Sequence, residues 1–392
     1  MGSFLKGKKG MWLFLAIAFL LRIFLSPFGT LENDFRTFLA WSYYVEEYGF
    51  SKFYSQWSDY LPGYIYILWV LRKLNIVFSQ IPSTLLYKLP AILADLGVGL
   101  FIYKAVSQFN KKWALPAMVI YLFNPAVFAN SALWGQIDGI TSFFGVSSIF
   151  FATRFPLMSS VSLSLGTLIK PQAGFLAPLL FLLWLKNFGF KKALGSTLVA
   201  FAIFLEGFVL FTGDKQVLQF IIERLGATAG QYPYTSVNAF NFWGLVHGFW
   251  KPDTNWQIVG VFVTVLIAST ILFKWFFAKG DGIPQKFLLA SFIFLVSFLF
   301  LTRMHERHLL PTLAPLVIAS VSHPLLWVAF IALSVTYLVN LRWAGWGGLD
   351  FQAIPPKELI DVFIAVNLIA AILMALVLLK PRIGRSLSAI NH

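Results

Sequence analysis

Six consecutive residues, Arg303-Met304-His305-Glu306-Arg307-His308, place two arginines, two histidines and a glutamate at the end of an apolar run. Arg303 and Arg307 are four apart, so on a helix both would project from one face. Paired guanidinium forks suit a phosphate or pyrophosphate. A positive cap on the cytoplasmic side of a span is the plainer alternative, but such caps seldom carry two histidines and a central glutamate. Lys170 precedes Pro171 at a helix break, where freed backbone donors and a cation make a second candidate anion site. A lysine snorkelling from a helix end would look the same. Asp95 lies within an apolar run, seven residues after Lys88, and a structural pair with a neighbouring helix explains it most simply. Glu206 also falls in a span and supports no assignment.

Carboxylates elsewhere supply the opposite chemistry. Residues 29–61 hold Glu32, Asp34, Glu46, Glu47 and Asp59 against Arg36 and Lys52. Phe35, Phe38, Leu39 and Tyr43 recur there at helical spacing and predict a short interfacial helix. Asp34 would sit at its N-terminal end, with Trp41, Tyr44, Tyr48 and Trp57 forming an aromatic belt. A second long loop, 213–255, alternates rings with amides and hydroxyls from Tyr232 to Trp243. Tyr234 and Asn238 there are candidate sugar ligands, because ring faces cover C–H patches and amides bond hydroxyls. An interfacial anchor would read the same way. The stretch Asn124 to Asp138 ends an apolar run in Trp134, Gln136 and Asp138, which suit a polar cavity; Asp138 could equally cap the next helix.

These groups must be carried by membrane helices. Of the 392 residues, 58% are hydrophobic and 12% charged, and the net charge is +14; mean hydropathy is +0.76. Soluble domains run at about 45–50% apolar and about 25% charged, so a water-soluble globule and a disordered chain are both excluded. The positive excess flanks apolar spans, as the positive-inside bias requires, and calls for no nucleic acid. Cysteine is absent, which removes disulfides, thiolate metal sites and a cysteine nucleophile.

Spans of roughly 20 apolar residues are expected near 11–28, 62–78, 84–104, 113–131, 138–154, 156–169, 172–186, 194–212, 256–275, 285–302, 309–320, 323–341 and 358–379. Lys6, Lys8 and Lys9 before the first span predict an uncleaved signal anchor with a cytoplasmic N-terminus, and Lys380, Arg382 and Arg385 place the C-terminal end on the same side. Both ends inside demand an even number, so one short piece near Pro156, Pro171 or Pro311 is partial or merged, leaving about twelve. Lys111 and Lys112 conflict with strict alternation. Myristoylation is disfavoured because Lys6 stands where a hydroxyl residue is preferred. The fold class expected is a single all-α polytopic membrane domain over 1–392, with interfacial helices in the loops 29–61 and 213–255 facing outward.

The ordered set of motifs resembles the GT-C superfamily of membrane glycosyltransferases, which use polyprenyl-phosphate-linked sugars. Within it the chain is most similar to the dolichyl-phosphate-glucose-dependent glucosyltransferases of N-glycan assembly and their prokaryotic relatives. The residues carrying the likeness are Asp34-Phe35, Asp59-Tyr60-Leu61-Pro62, Lys88 to Asp95, Asn124-Pro125 through Trp134-Gly135-Gln136-Ile137-Asp138, Lys170-Pro171-Gln172 and Arg303-Met304-His305-Glu306-Arg307, about three quarters of the chain. Leu61 stands where the family usually has proline.

The resemblance implies an outer-face active site, inverting transfer of a hexose such as mannose or glucose, and Asp34 as the general base. Asp59 and His305 would line the same cavity, with Arg303, Arg307 and Lys170 on the donor phosphate. Tyr60, Trp134, Gln136, Asp138, Tyr234 and Asn238 are candidates for sugar or acceptor. A retaining scheme would instead need Asp34 and Asp59 about 5–5.5 Å apart. The implied partners are a polyprenyl-phosphate-sugar donor, a lipid-linked, glycolipid or protein acceptor, and membrane lipid. Neither long loop has an Asp-x-Asp motif or metal-ligand spacing, so no metal and no cofactor are expected. A prokaryotic plasma membrane is the expected location. The competing class is a transporter or flippase of a lipid-linked saccharide, which would put its essential carboxylate at mid-membrane.

Overall fold

Proline punctuation sets where many helices begin. Pro62, Pro125, Pro156, Pro171 and Pro324 each occupy a first-turn position, where the missing N–H is harmless and φ is preset. The computed structural model describes residues 7–278, 282–344 and 356–379. Lys6, Lys380, Arg382 and Arg385, on which part of the expected orientation rests, lie outside the described residues. Among those residues the structure is mainly helical, with isolated bridges and no strand.

Six helices are long and apolar enough to cross a membrane: Ser83–Ser107, Phe190–Phe211 with its terminal turn, Trp256–Phe277, Ile283–Phe300, Pro324–Trp343 and Lys357–Leu379. A seventh is reached if Lys111–Leu122 and Pro125–Trp134, bent by 45° at Asn124, count as one span. The chain is thus an all-helical protein with the make-up of a multi-pass integral membrane protein. Apart from Gly7–Leu25, the remaining expected spans are short helices, among them Asp138–Phe151 and Pro156–Ile169. Gly7–Leu25 carries Lys8, Lys9 and Arg22 within its 19 residues.

Ile283–Phe300 runs through the centre and is buried along nearly its whole length. It packs on Leu310–Ser320, Trp256–Phe277 and Lys357–Leu379. A second core joins Phe38, Trp41 and Val45 of the Glu32–Tyr48 helix to Tyr64, Ile65 and Leu68 of Pro62–Val77. The helix expected in the first long loop is therefore present, but its inward face is Phe38, Trp41, Ser42 and Val45. Tyr43 points outward instead, and Trp41 is core rather than belt. Tyr48 and Trp57 remain exposed.

The 213–255 loop differs more from expectation. It opens with a helix, Val217–Gly230, and its middle then lies inside the molecule: Thr235, Ser236, Val237, Ala239, Phe240 and Asn241 are all buried. Asn340 grips it from both sides, donating to Asn238 O at 2.7 Å and accepting from Phe240 N at 2.9 Å. Asn367 donates to Phe240 O at 2.9 Å. Amides spent on backbone in this way supply the hydrogen bonds that a buried non-helical segment requires.

Candidate functional site

On a helix, Arg303 and Arg307 of the segment after the central helix would share one face. The segment is not such a helix. Residues 301–305 are irregular, Arg303 has φ 65, and only a short 3₁₀ turn, Glu306–Leu309, follows. Arg303 N donates to Tyr234 O at 2.9 Å, and His305 forms bridges with Val237 and Asn238. The second long loop is thereby fastened to the cationic segment.

Around this junction lies a cavity of about 420 Å³. Asp59, Tyr60, Lys170, Gln172, Tyr232, Arg303, His305, Arg307 and His308 form its polar lining, while Ile169, Phe175, Leu225, Val261 and Leu301 form an apolar wall. Leu225 and Val261 are also exposed at the molecular surface. Five stretches distant in sequence thus meet: the end of the first loop, the Lys170 break, the Val217–Gly230 helix, the first turns of Trp256–Phe277 and the 301–308 segment. Lys170 reaches the lining because its backbone is extended, φ −150, between Ile169 and the turn begun by Pro171.

Each cation of the expected phosphate clamp already has a carboxylate partner. Arg303 meets Asp253 through Nε at 2.7 Å and Nη2 at 3.1 Å, and its other hydrogens go to Ala229 O at 2.5 Å and Gln257 Oε1 at 3.1 Å. Arg307 Nη1 donates to Glu306 at 2.9 Å. Lys170 is paired with Asp138. Arg303 is thus committed to structure. Arg307 keeps a buried Nε without a partner among the described residues, as does the carbonyl oxygen of Gln172.

The histidines do not add positive charge. Burial, Arg307 and Lys170 hold His305 well below the usual imidazole range, and burial, Lys170 and His305 do the same for His308. His305 packs edge-on against Tyr232 at 4.7 Å; Gln172 lies 3.1 Å from His308 Nε2. Burial pushes the Asp59 carboxyl above the ordinary carboxylate range, with Arg307 pulling the other way.

Asp34 sits outside the cavity lining, half-buried in the first turn of Glu32–Tyr48. It occupies a small recess with Phe38, Tyr87, Lys88 and Trp134. Tyr60 and Gln136 lie between the two spaces: Tyr60 Oη is 3.5 Å from Gln136 Oε1, and Gln136 Nε2 bonds Asp34. The Asp34 charge acts on Asp59, Tyr232, Glu306 and Arg307.

Other expected residues are placed differently. Tyr234 and Asn238 stand away from the lining, against Trp250: its ring lies 5.2 Å from that of Tyr234, and its Nε1 donates to Asn238 Oδ1 at 2.8 Å. Asp138 does not cap its helix; its side chain takes Lys170 and Asn130. Asp95 forms the structural pair expected of it, with Arg22 at 3.0 Å and Ser131 at 2.6 Å. Lys88 donates to the carbonyls of Ser26, Phe28, Ala132 and Leu133. Sequence reasoning missed Asp253 and Gln257. Their only signal is position, a carboxylate and an amide bracketing the start of an apolar run.

Compared with known proteins, the chain matches no family model and no curated protein.

Proposed function

We propose that this protein is a membrane glycosyltransferase that moves a hexose from a polyprenyl-phosphate donor to an acceptor hydroxyl, with inversion. One observation carries the reading: Asp59 shares with Arg307 and Lys170 the lining of a cavity whose apolar wall reaches the surface, and Gln136 links Asp34 to that lining through Tyr60. An apolar groove of about 840 Å³ shares Ile169 with that cavity and offers room for a prenyl chain.

In this scheme Asp34 takes the proton of the acceptor hydroxyl, and the oxygen attacks the anomeric carbon as its bond to the donor phosphate breaks. General-base assistance of this kind is worth about 10²–10⁴-fold. Charge gathers on the departing phosphate, where Arg307 and Lys170 would meet it in a partly desolvated site. Asp59 and neutral His305 line the path between. Catalysis at an outer membrane face, a prokaryotic plasma membrane, a lipid-linked acceptor and about twelve crossings belong to the same proposal. A carrier coupled to ions would need an exchangeable carboxylate at mid-membrane; Asp95 is tied to Arg22 and Ser131 through Oδ2, which leaves Glu206 in Phe190–Phe211 as the other carboxylate such a carrier could use.

The test is transfer of labelled hexose from polyprenyl-phosphate-glucose or -mannose by purified protein in lipid. Asp34→Asn should lower transfer by about 10²–10⁴-fold and keep donor binding; Arg307→Ala should lose donor binding. Full transfer by Asp34→Asn would reject the base, and unchanged binding by Arg307→Ala would reject the clamp.

A further inference from the structure

The hydrogen bonds of Asp34 are unevenly shared between its two oxygens. Oδ2 accepts from Trp134 Nε1 at 2.9 Å and from Gln136 Nε2. Oδ1 accepts from nothing among the described residues, and it is not one of the buried unpartnered atoms. With both donors on one oxygen, the carboxylate plane is held and the other oxygen is left free to accept a proton.

Both donors come from one device. After Ala129–Trp134, a wide helical turn, the chain reverses at Gly135 with φ 88, and the amides of Gly135 and Gln136 both close on Asn130 O at 3.0 and 2.9 Å. A side chain at 135 would need that left-handed backbone and would bring its Cβ to 3.1 Å from the Lys88 stem. Lys88 itself ties the carbonyls of Ala132 and Leu133 to those of Ser26 and Phe28, so the donors' segment and the chain leading to Asp34 share one buried ammonium. The Gln136 amide is oriented as well, since its oxygen faces the Tyr60 hydroxyl and its NH₂ must then face Asp34.

Trp134 and Gln136 were expected to contact sugar. The single indole N–H is already engaged, and the Gln136 amide is buried with both ends in use. We infer that Trp134 and Gln136 are positioning residues, which pin Oδ2 of Asp34 and present Oδ1 to the acceptor hydroxyl, with Lys88 as the shared anchor of both segments. The inference rests on Asp34 being the base of the proposed transfer. Aim matters because a misplacement of about 1 Å can cost about 10²-fold in rate.

Two measurements test it. The first needs no turnover. In ¹⁵N-tryptophan protein in lipid nanodiscs, the Trp134 indole resonance is assigned by its loss in Trp134→Phe. It should move upfield in Asp34→Ala; an unmoved resonance overturns the inference. The second follows release or transfer of hexose from polyprenyl-phosphate-glucose and -mannose. Trp134→Phe and Gln136→Leu should each lower kcat by about 10–100-fold with donor KM within about twofold. Added to Asp34→Asn, neither should lower the residual rate further, because the group they serve is gone. A raised donor KM, or losses that multiply with Asp34→Asn, would return both residues to sugar contact and overturn the inference. If wild type releases no sugar from either donor, the proposed function falls while the indole resonance still decides whether the hold exists.

Discussion

At the scale of single residues, the site has its cations neutralised in advance. Arg307 with Glu306 and Lys170 with Asp138 are pairs an anionic ligand must compete with. Replacing Glu306 by Gln should therefore tighten binding of polyprenyl-phosphate-glucose by about ten- to a hundredfold, read by titration of labelled donor into nanodiscs, because a charge-assisted bond is worth about 1.5–3 kcal/mol. Weakened binding would show that Glu306 orients Arg307 rather than competing for it. Proton uptake should act like the substitution. Burial raises the Glu306 carboxyl above its ordinary range, so a lower pH neutralises Glu306, releases Arg307 and favours donor binding. Asp59 is raised by burial too, so the same fall in pH removes a second negative charge from the lining and should tighten donor binding further, read by the same titration at two pH values. The cluster at 303–308 was legible because charge at the end of an apolar run is expensive. Its internal roles were not: Asp253, fifty residues away, takes Arg303, and burial silences both histidines.

At the scale of elements, the same arginine works as a latch. Arg303 holds Ala229 O at the end of the Val217–Gly230 helix, Arg224 on that helix donates to Ser58 O at 2.9 Å, and Trp57 donates to Gln231 at 2.7 Å. These ties bring the helix over the cavity beside Asp59. Asp253→Asn should loosen the latch, costing about 2 kcal/mol in unfolding free energy and raising hydrogen exchange across residues 217–230; unchanged exchange there would dismiss the latch. Close approach defines a second joint. A Cβ on Gly63 would meet Leu168 C at 2.6 Å and Ile169 N at 2.7 Å, both backbone. Gly63→Ala must push Pro62–Val77 off Pro156–Ile169, next to Lys170, and should lower Tm together with donor affinity. The existence of the Glu32–Tyr48 helix could be read from its periodicity. Its rotation could not, because Phe35, Leu39 and Trp41 are interchangeable as apolar positions until the partner helix is known. The amides of 238–241 looked like sugar ligands for a similar reason, since periodicity says nothing of Asn340 and Asn367, which claim the backbone there.

At the scale of the whole molecule, composition alone determined that these helices need a membrane, while the crossing count depended on short, proline-broken segments whose depth no local pattern records. What the sequence left open between enzyme and carrier can be decided at Arg22 and Asp95. Both side chains are fully buried, 3.0 Å apart, and join Gly7–Leu25 to Ser83–Ser107. Removing one partner strands a buried charge, so Asp95→Ala should destabilise the fold by about 3–5 kcal/mol. Replacing both by apolar residues removes the stranded charge as well, and buried pairs exchanged in this way are often neutral or stabilising by about 1–4 kcal/mol. The double variant Arg22→Met, Asp95→Leu should therefore regain wild-type stability in detergent unfolding and keep full hexose transfer, because in an enzyme worked by Asp34 this pair is only scaffold. In a carrier that holds its driving ion at Asp95, that carboxylate would bind and release the ion. The same well-folded double variant would then be inactive, and its silence beside a recovered Tm would move the chain to the transport class.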